Sequence, residues 1–106
     1  MSNILNALDH KIGSITEDNG KHYVHLGEPN GVVMGYVEGN EVFNEKNVKV
    51  GHIEMYNGYV YDSQMKHVGV VHLDTGKVYD PLNKPIGQIK GDHIASGGAA
   101  LLLLWR

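Results

Sequence analysis

The chain has 106 residues, enough for one domain or one repeat array, and a net charge of −3. It contains no cysteine, which excludes disulfides, a thiolate zinc site and a cysteine nucleophile. The acidic balance, with Arg106 as the single arginine, argues against a nucleic-acid partner. Glycine is the outlier, with 14 of 106 residues against a usual level of roughly 7%.

The N-terminal sequence Met-Ser-Asn-Ile-Leu-Asn lacks the basic and apolar regions of a signal peptide. The longest apolar run, residues 99–105, is much shorter than the roughly 20 residues that a membrane-spanning helix needs. We therefore expect a cytoplasmic protein with no membrane contact.

A repeat with a period of about 18 residues runs along the chain. Each unit opens with an apolar residue, an aromatic residue and Asp or Asn, as in Val60-Tyr61-Asp62. Nine residues after that valine comes Gly69, which is preceded by Val68 and followed two residues later by Val71. The units open at Ile4, Val24, Val42, Val60 and Val78, and a degenerate sixth unit is predicted to open at Ile94.

Each half-unit is too short for a helix and is rich in Val, Ile and Tyr, which favour strands. The residues between the two halves of a unit favour turns. The segment Asp80-Pro81-Leu82-Asn83 suits a type I turn, and the last position of this loop requires a residue that tolerates the left-handed backbone conformation. That position holds Asp9, Asn47, Met65 and Asn83. Glycine-bearing turns are predicted between units, at Gly20, Gly39, Gly58, Gly76 and Gly91.

One glycine recurs within the second strand of every unit. A glycine inside a strand often marks a bulge, a tight bend or the close approach of another group. We expect these positions to bend every hairpin in the same way around a centre, with an aromatic such as Phe43, Tyr61 or Tyr79 covering a neighbour's glycine. These structural glycines are Gly13, Gly35, Gly51, Gly69 and Gly87.

The predicted fold class is therefore all-β. Residues 1–106 form a single domain, an antiparallel meander of five to six short β-hairpin repeats in a flower- or barrel-like ring. A β-solenoid with 18-residue coils is the alternative, ranked lower because tight turns reverse the chain instead of continuing it.

The C-terminal segment departs from the repeat. Residues 94–101 read as a tight hairpin with Gly97-Gly98 as its turn, and the apolar run after it reads as a strand buried on both faces in the middle of the assembly. The alternative interpretation of this run is a subunit interface. The residues of that interface would be Leu101, Leu102, Leu103, Leu104 and Trp105.

The repeat units resemble those of small uncharacterised bacterial proteins described as β-flower domains. The resemblance spans Ile4 to about Ile89 and rests on Val-Tyr-Asp, a loop, and then Val or Ile, Gly, any residue, and Val or Ile. It implies hairpins around a central axis and brings no catalytic residues with it. A weaker similarity links the units to PRC-barrel strands.

The seven histidines fall at different positions of the repeat unit, which argues against a ring of metal ligands. His22 and His25 lie three residues apart, so on a strand their rings face opposite sides. We therefore predict no metal and no cofactor within one chain, and leave open a site gathered between chains. The recurring Asn6, Asn44, Asp62 and Asp80 are expected to hydrogen-bond their own turns; the alternative is a polar ring for cations or sugar.

No nucleophile or acid–base pair can be nominated, so we expect no enzyme and no catalytic residue. The predicted function is a non-enzymatic binding or scaffold module that acts as a homo-oligomer. The alternative is a module for a small ligand, carbohydrate or metal, that uses surface Tyr and His side chains. The candidate ligand-binding residues are Tyr61, Tyr79, His52 and His72.

Overall fold

Ten antiparallel strands close into a barrel in the computed structural model, which describes residues 2–105. The elements are β1 (Ser2–Asn6), β2 (Lys11–Asp18), β3 (Lys21–Leu26), β4 (Val33–Glu38), β5 (Glu41–Asn44), β6 (Lys49–Ile53), β7 (Tyr59–Asp62), β8 (His67–Val71), β9 (Lys77–Tyr79), β10 (Pro85–Lys90) and α1 (Ile94–Leu104). Strands that are neighbours in the chain pair with each other, and β1 pairs with β10 to close the ring. The all-β hairpin meander is confirmed, and the solenoid alternative is wrong.

A ring of ten β-branched residues, one from each strand, lines the barrel interior. Successive side chains of a strand alternate between faces, so one repeat position per strand always points inward. Within the fourth hairpin, Val60 lies opposite Gly69, and Val71 lies opposite Val78 of the next hairpin. The ring consists of Ile4, Ile15, Val24, Val37, Val42, Ile53, Val60, Val71, Val78 and Ile89, each at most 2% exposed.

Four of the five turns within hairpins follow the predicted chemistry. In the third hairpin, Asn44 Oδ1 accepts hydrogen bonds from the backbone N–H groups of Lys46 (2.9 Å) and Val48 (3.0 Å), and Asn47 has a φ of +63°. Asn6, Asp62 and Asp80 make the same pair of bonds in their own loops. The recurring Asx residues therefore stabilise their turns, as expected.

The turns within hairpins all lie at one end of the barrel, which we call the rim (residues 7–10, 27–32, 45–48, 63–66 and 81–84). The turns between hairpins, together with residues 91–93, lie at the opposite end, which we call the mouth. The mouth turns contain the predicted glycines, and all of these have positive φ. They are Gly20, Gly39, Gly58, Gly76 and Gly91.

The C-terminal segment is a helix inside the barrel, so the expected Gly97-Gly98 hairpin, the buried strand and the sixth hairpin unit are all wrong. Every barrel strand already has a partner on both sides. An extra strand in the interior would therefore leave its backbone N–H and C=O groups without partners, whereas a helix satisfies its own. The helix α1 enters at the mouth and ends at the rim, with residues 96–103 buried.

The structural glycines make room for this helix. A Cβ at Gly69 would lie 2.5 Å from a methyl carbon of Leu102, and one at Gly87 would lie 2.7 Å from Leu101. Gly51 faces Leu103 in the same way, and Gly13 faces Trp105. The expected aromatic cover is therefore wrong, because helix side chains occupy the space. Backbone oxygens of the neighbouring strands also lie close, and at Gly51 and Gly87 they are the nearest atoms. Gly35 differs because no helix side chain is among its nearest atoms, and the backbone oxygen of Phe43 closes its site.

Within residues 2–105, no helix combines the length and the apolar character needed to cross a membrane.

Candidate metal centre

Glu17 and His22 are brought together by the first mouth turn. Asn19 and Gly20 both have positive φ (53° and 82°), which makes the tight two-residue turn that an Asn-Gly pair favours. Its register sets Glu17 of β2 directly opposite His22 of β3. Both residues share the strand face of the buried Ile15 ring, so they point inward at the mouth of the barrel.

His93 reaches the same place from the other side of the barrel closure. Its backbone N–H donates to Ser2 Oγ (2.8 Å), and that hydroxyl donates to Asp92 Oδ1 (3.1 Å). These bonds tie the segment after β10 to β1, the neighbour of β2. The His93 side chain is 14% exposed, and its ring centroid lies 4.1 Å from that of His22.

Three potential metal ligands converge at this point. Glu17 Oε1 lies 3.7 Å from His93 Nε2, and Glu17 Oε2 lies 4.0 Å from His22 Nε2. One ligand atom from each residue can be chosen so that all three lie within 4.8 Å of one another. Asp92 Oδ1 lies 3.7 Å from His93 Nε2 and accepts a hydrogen bond from Ser2 Oγ, but Asp92 is not part of the group whose ligand atoms all lie within 4.8 Å of one another.

Ser96 orients the His22 ring. Ser96 lies in the first turn of α1, and its Oγ is 2.5 Å from His22 Nδ1. This contact turns the other ring nitrogen of His22, Nε2, toward Glu17. The order Ser96–His22–Glu17 resembles a hydrolytic triad, but Ser96 is only 4% exposed. Its hydroxyl is enclosed between barrel and helix, where it can support His22 but cannot meet a substrate.

The electrostatics favour a neutral His22. Burial lowers the pKa of His22 below its ordinary value, and a positive charge on His93 lowers it further; Glu17 and Asp92 act in the opposite direction. The pKa of the Asp92 carboxyl is lowered by a backbone hydrogen bond and by the Ser2 hydroxyl. Neutral imidazole and ionised carboxylate are the protonation states that bind metal ions.

The four residues predicted to bind a ligand lie elsewhere, on the outer face of the barrel. His52 stacks on Tyr61 across β6 and β7 with ring centroids 5.4 Å apart, and His72 contacts Tyr79 at 4.6 Å. His72 lines a groove with Tyr56, whereas Tyr79 lines a different one. The structure brings these residues together as two pairs and does not gather all four in one pocket.

The apolar residues considered for a subunit interface lie in the barrel core. Leu101, Leu102 and Leu103 are each 6% exposed, and the partly buried Leu104 and Trp105 pack against the same core. The helix buries this run within its own chain. The interface hypothesis for the three buried leucines is therefore corrected.

Sequence reasoning missed Glu17 and His93. The Asn19-Gly20 pair was the available signal, since a two-residue turn sets Glu17 opposite His22. No local signal pointed to His93, because it reaches the site through closure of the barrel.

Comparisons with models of protein families, with curated proteins and with solved structures give no match.

Proposed function

We propose that this protein is a binding module for a divalent first-row transition metal ion, with Zn²⁺ as the representative. The observation that carries the proposal is the convergence of Glu17, His22 and His93 within 4.8 Å. Metal–ligand bonds to His nitrogen and carboxylate oxygen are about 2.0–2.2 Å long, so small side-chain adjustments bring all three atoms onto one ion.

The donor set suits such an ion. Imidazole nitrogen favours zinc, copper, nickel and iron, whereas calcium and magnesium prefer oxygen donors alone. A water molecule would supply the fourth ligand of a tetrahedral site. The hydrogen bond between His22 Nδ1 and Ser96 is the kind of supporting contact that fixes the orientation of a metal-binding imidazole.

The proposal keeps the expected non-enzymatic binding module and replaces the expectation of no metal. The proposal also assigns binding to different residues than the sequence-based interpretation did. The metal ligands lie at the mouth, whereas the residues predicted from sequence are Tyr and His side chains of the outer face. We expect the ion to link the neighbouring ends of β2 and β3 at the mouth to the start of α1.

Thermal unfolding of chelator-treated protein with added Zn²⁺ tests this proposal. A ligand selective for the native state at 100 times its Kd stabilises by about 2.7 kcal/mol, which is a rise in Tm of roughly 10 °C or more for a chain of this size. The variants His22→Gln and His93→Gln should lose this rise. Circular dichroism confirms that they fold.

His52→Gln and His72→Gln are the matched controls, because both remove an imidazole from the outer face. They should retain the full response to Zn²⁺. A wild-type Tm that does not move with Zn²⁺, Co²⁺, Ni²⁺ or Cu²⁺ would contradict the proposal, as would an undiminished response in His93→Gln.

A further inference from the structure

The rim exposes an apolar side chain in every one of its turns. Single exposed apolar side chains are common on protein surfaces, but one in each of the five turns at the same end of the barrel is a concentration that favours an interaction site. The mouth is different, because there Met55, Tyr56 and Leu73 are confined to two turns. The rim residues are Leu8 (75% exposed), Val32 (72%), Val48 (54%), Met65 (65%) and Leu82 (89%).

The same face contains an apolar hollow. Val33 and Val50 line it beside Leu104 at the end of α1, and Glu45 is also among its lining residues. The hollow is between the second and third hairpins, β3–β4 and β5–β6. In a ring of five hairpins, the position opposite that gap is the fifth hairpin, β9–β10, whose turn contains Leu82.

We propose that the rim is the docking face for a second copy of this chain. A protrusion and a hollow on opposite sides of one face are self-complementary. Under a two-fold axis lying in the plane of contact, Leu82 of each copy meets the hollow of the other, which is the reciprocal pattern of a symmetric dimer.

The charges at these two places support the same arrangement. Lys84 follows Leu82 by two residues, and Glu45 lines the hollow; both residues are exposed. The same two-fold operation places the β9–β10 loop, which contains Lys84, of one copy over the hollow lined by Glu45 of the other, twice per dimer. Opposite charges across an interface define its register and suppress wrong partners.

The size of the face sets the expected affinity. The molecule has principal extents of 33, 29 and 22 Å, so an end face offers on the order of 400–700 Å² per copy, and two copies reach the lower limit of specific interfaces. We therefore expect a reversible dimer with a Kd on the order of 10–100 μM.

Sedimentation velocity from about 5 to about 500 μM brackets that range and measures the dimer directly. Leu82→Glu should raise the Kd at least about tenfold, because it places a carboxylate in the apolar hollow. Met55→Glu, an equally drastic change at the mouth, should leave the Kd unchanged. Both positions are exposed, so Tm should stay close to wild type.

Exchanging the charges of Lys84 and Glu45 tests whether the partner is a second copy of this chain. Lys84→Glu and Glu45→Lys should each weaken self-association, whereas an equimolar mixture of the two should form a heterodimer, since both contacts are then again between opposite charges. A wild-type monomer at every concentration, or a dimer insensitive to Leu82→Glu, would overturn the proposal. Co-sedimentation with phosphatidylcholine vesicles in place of dimerisation would assign the rim to a lipid surface and would also overturn it.

Discussion

At the residue scale, single turn positions carry much of the information in this chain. The rim loops need one residue in the left-handed conformation, and Asp9, Asn47 and Asn83 are types that tolerate it. Met65 occupies the equivalent position with a φ of +65°, although its side chain gains nothing there from a hydrogen bond to the backbone. The loop folds because Asp62 caps it and its strands pair on both sides.

Met65→Asn should therefore raise the free energy of unfolding by about 0.5–1 kcal/mol, since Asn relieves the cost of a left-handed Met. Urea denaturation measures this change. Asn47→Met is the reverse experiment in the third hairpin and should lose a similar amount. An unchanged or lower stability of Met65→Asn would show that the loop backbone is not strained at this residue.

The lowered pKa of His22 predicts that the stability of the metal-free protein depends on pH. The pKa of His22 is lowered in the folded state from its ordinary value of 6.5. At pH values between the lowered pKa and 6.5, the unfolded chain therefore binds more protons than the folded chain. The contribution of His22 to stability is complete above about pH 6.5 and decreases as the pH falls through that window. The lowered pKa of Asp92 acts only at more acidic pH, because its ordinary value is 3.8.

Urea unfolding with chelator present, measured from pH 7.5 to 5, tests this sign. Wild type should lose more stability over that interval than His22→Gln. Equal losses in the two proteins would show that His22 does not titrate differently on folding.

At the element scale, α1 is stabilised by its surroundings and not by its own sequence. Its N-cap residue His93 makes no side-chain cap, its first turn has no acidic residue, and Gly97 and Gly98 lie in its interior. Glycine costs about 1 kcal/mol relative to alanine in a helix. Burial of Leu101, Leu102 and their neighbours against the barrel outweighs that cost.

The variant Gly97→Ala tests whether helix propensity or crowding against the barrel has the larger effect at this position. Helix propensity alone predicts a gain of about 1 kcal/mol. A Cβ at Gly97, however, would lie 2.8 Å from Ile89 Cγ2, so we expect a net loss of about 1–3 kcal/mol from overpacking.

The double-mutant cycle with Ile89→Ala separates the two contributions. With the crowding side chain shortened, Gly97→Ala should become neutral or stabilising, and thermal or urea unfolding of the four proteins gives the coupling energy. A coupling energy of zero would mean that Ile89 does not select glycine here.

At the scale of the whole molecule, the barrel and its helix form one packing unit. A barrel of ten strands encloses more space than its own β-branched ring fills. The helix occupies the remaining volume, and four of the five structural glycines, all except Gly35, lie against its Leu side chains or Trp105. The filled interior leaves the two ends and the outer face as the accessible surfaces, and the two proposals accordingly concern the mouth and the rim.

The sequence by itself determined the five hairpins, their turns, and the aliphatic positions that recur in every repeat unit. These features depend on interactions over a few residues, namely strand periodicity, Asx turns and positive φ at glycine, and the repeat displays each of them several times. The same logic explains why Met65 could be recognised as the irregular member of its position.

Only the tertiary structure decided that residues 94–104 form a helix, since a short apolar run fits a buried strand or a buried helix equally well. It also brought together the residues of the candidate metal centre, where His22 meets Ser96 across 74 residues of sequence. Such contacts exist because the ring closes and the helix enters it. Both events depend on the space left inside ten paired strands, which no local pattern encodes.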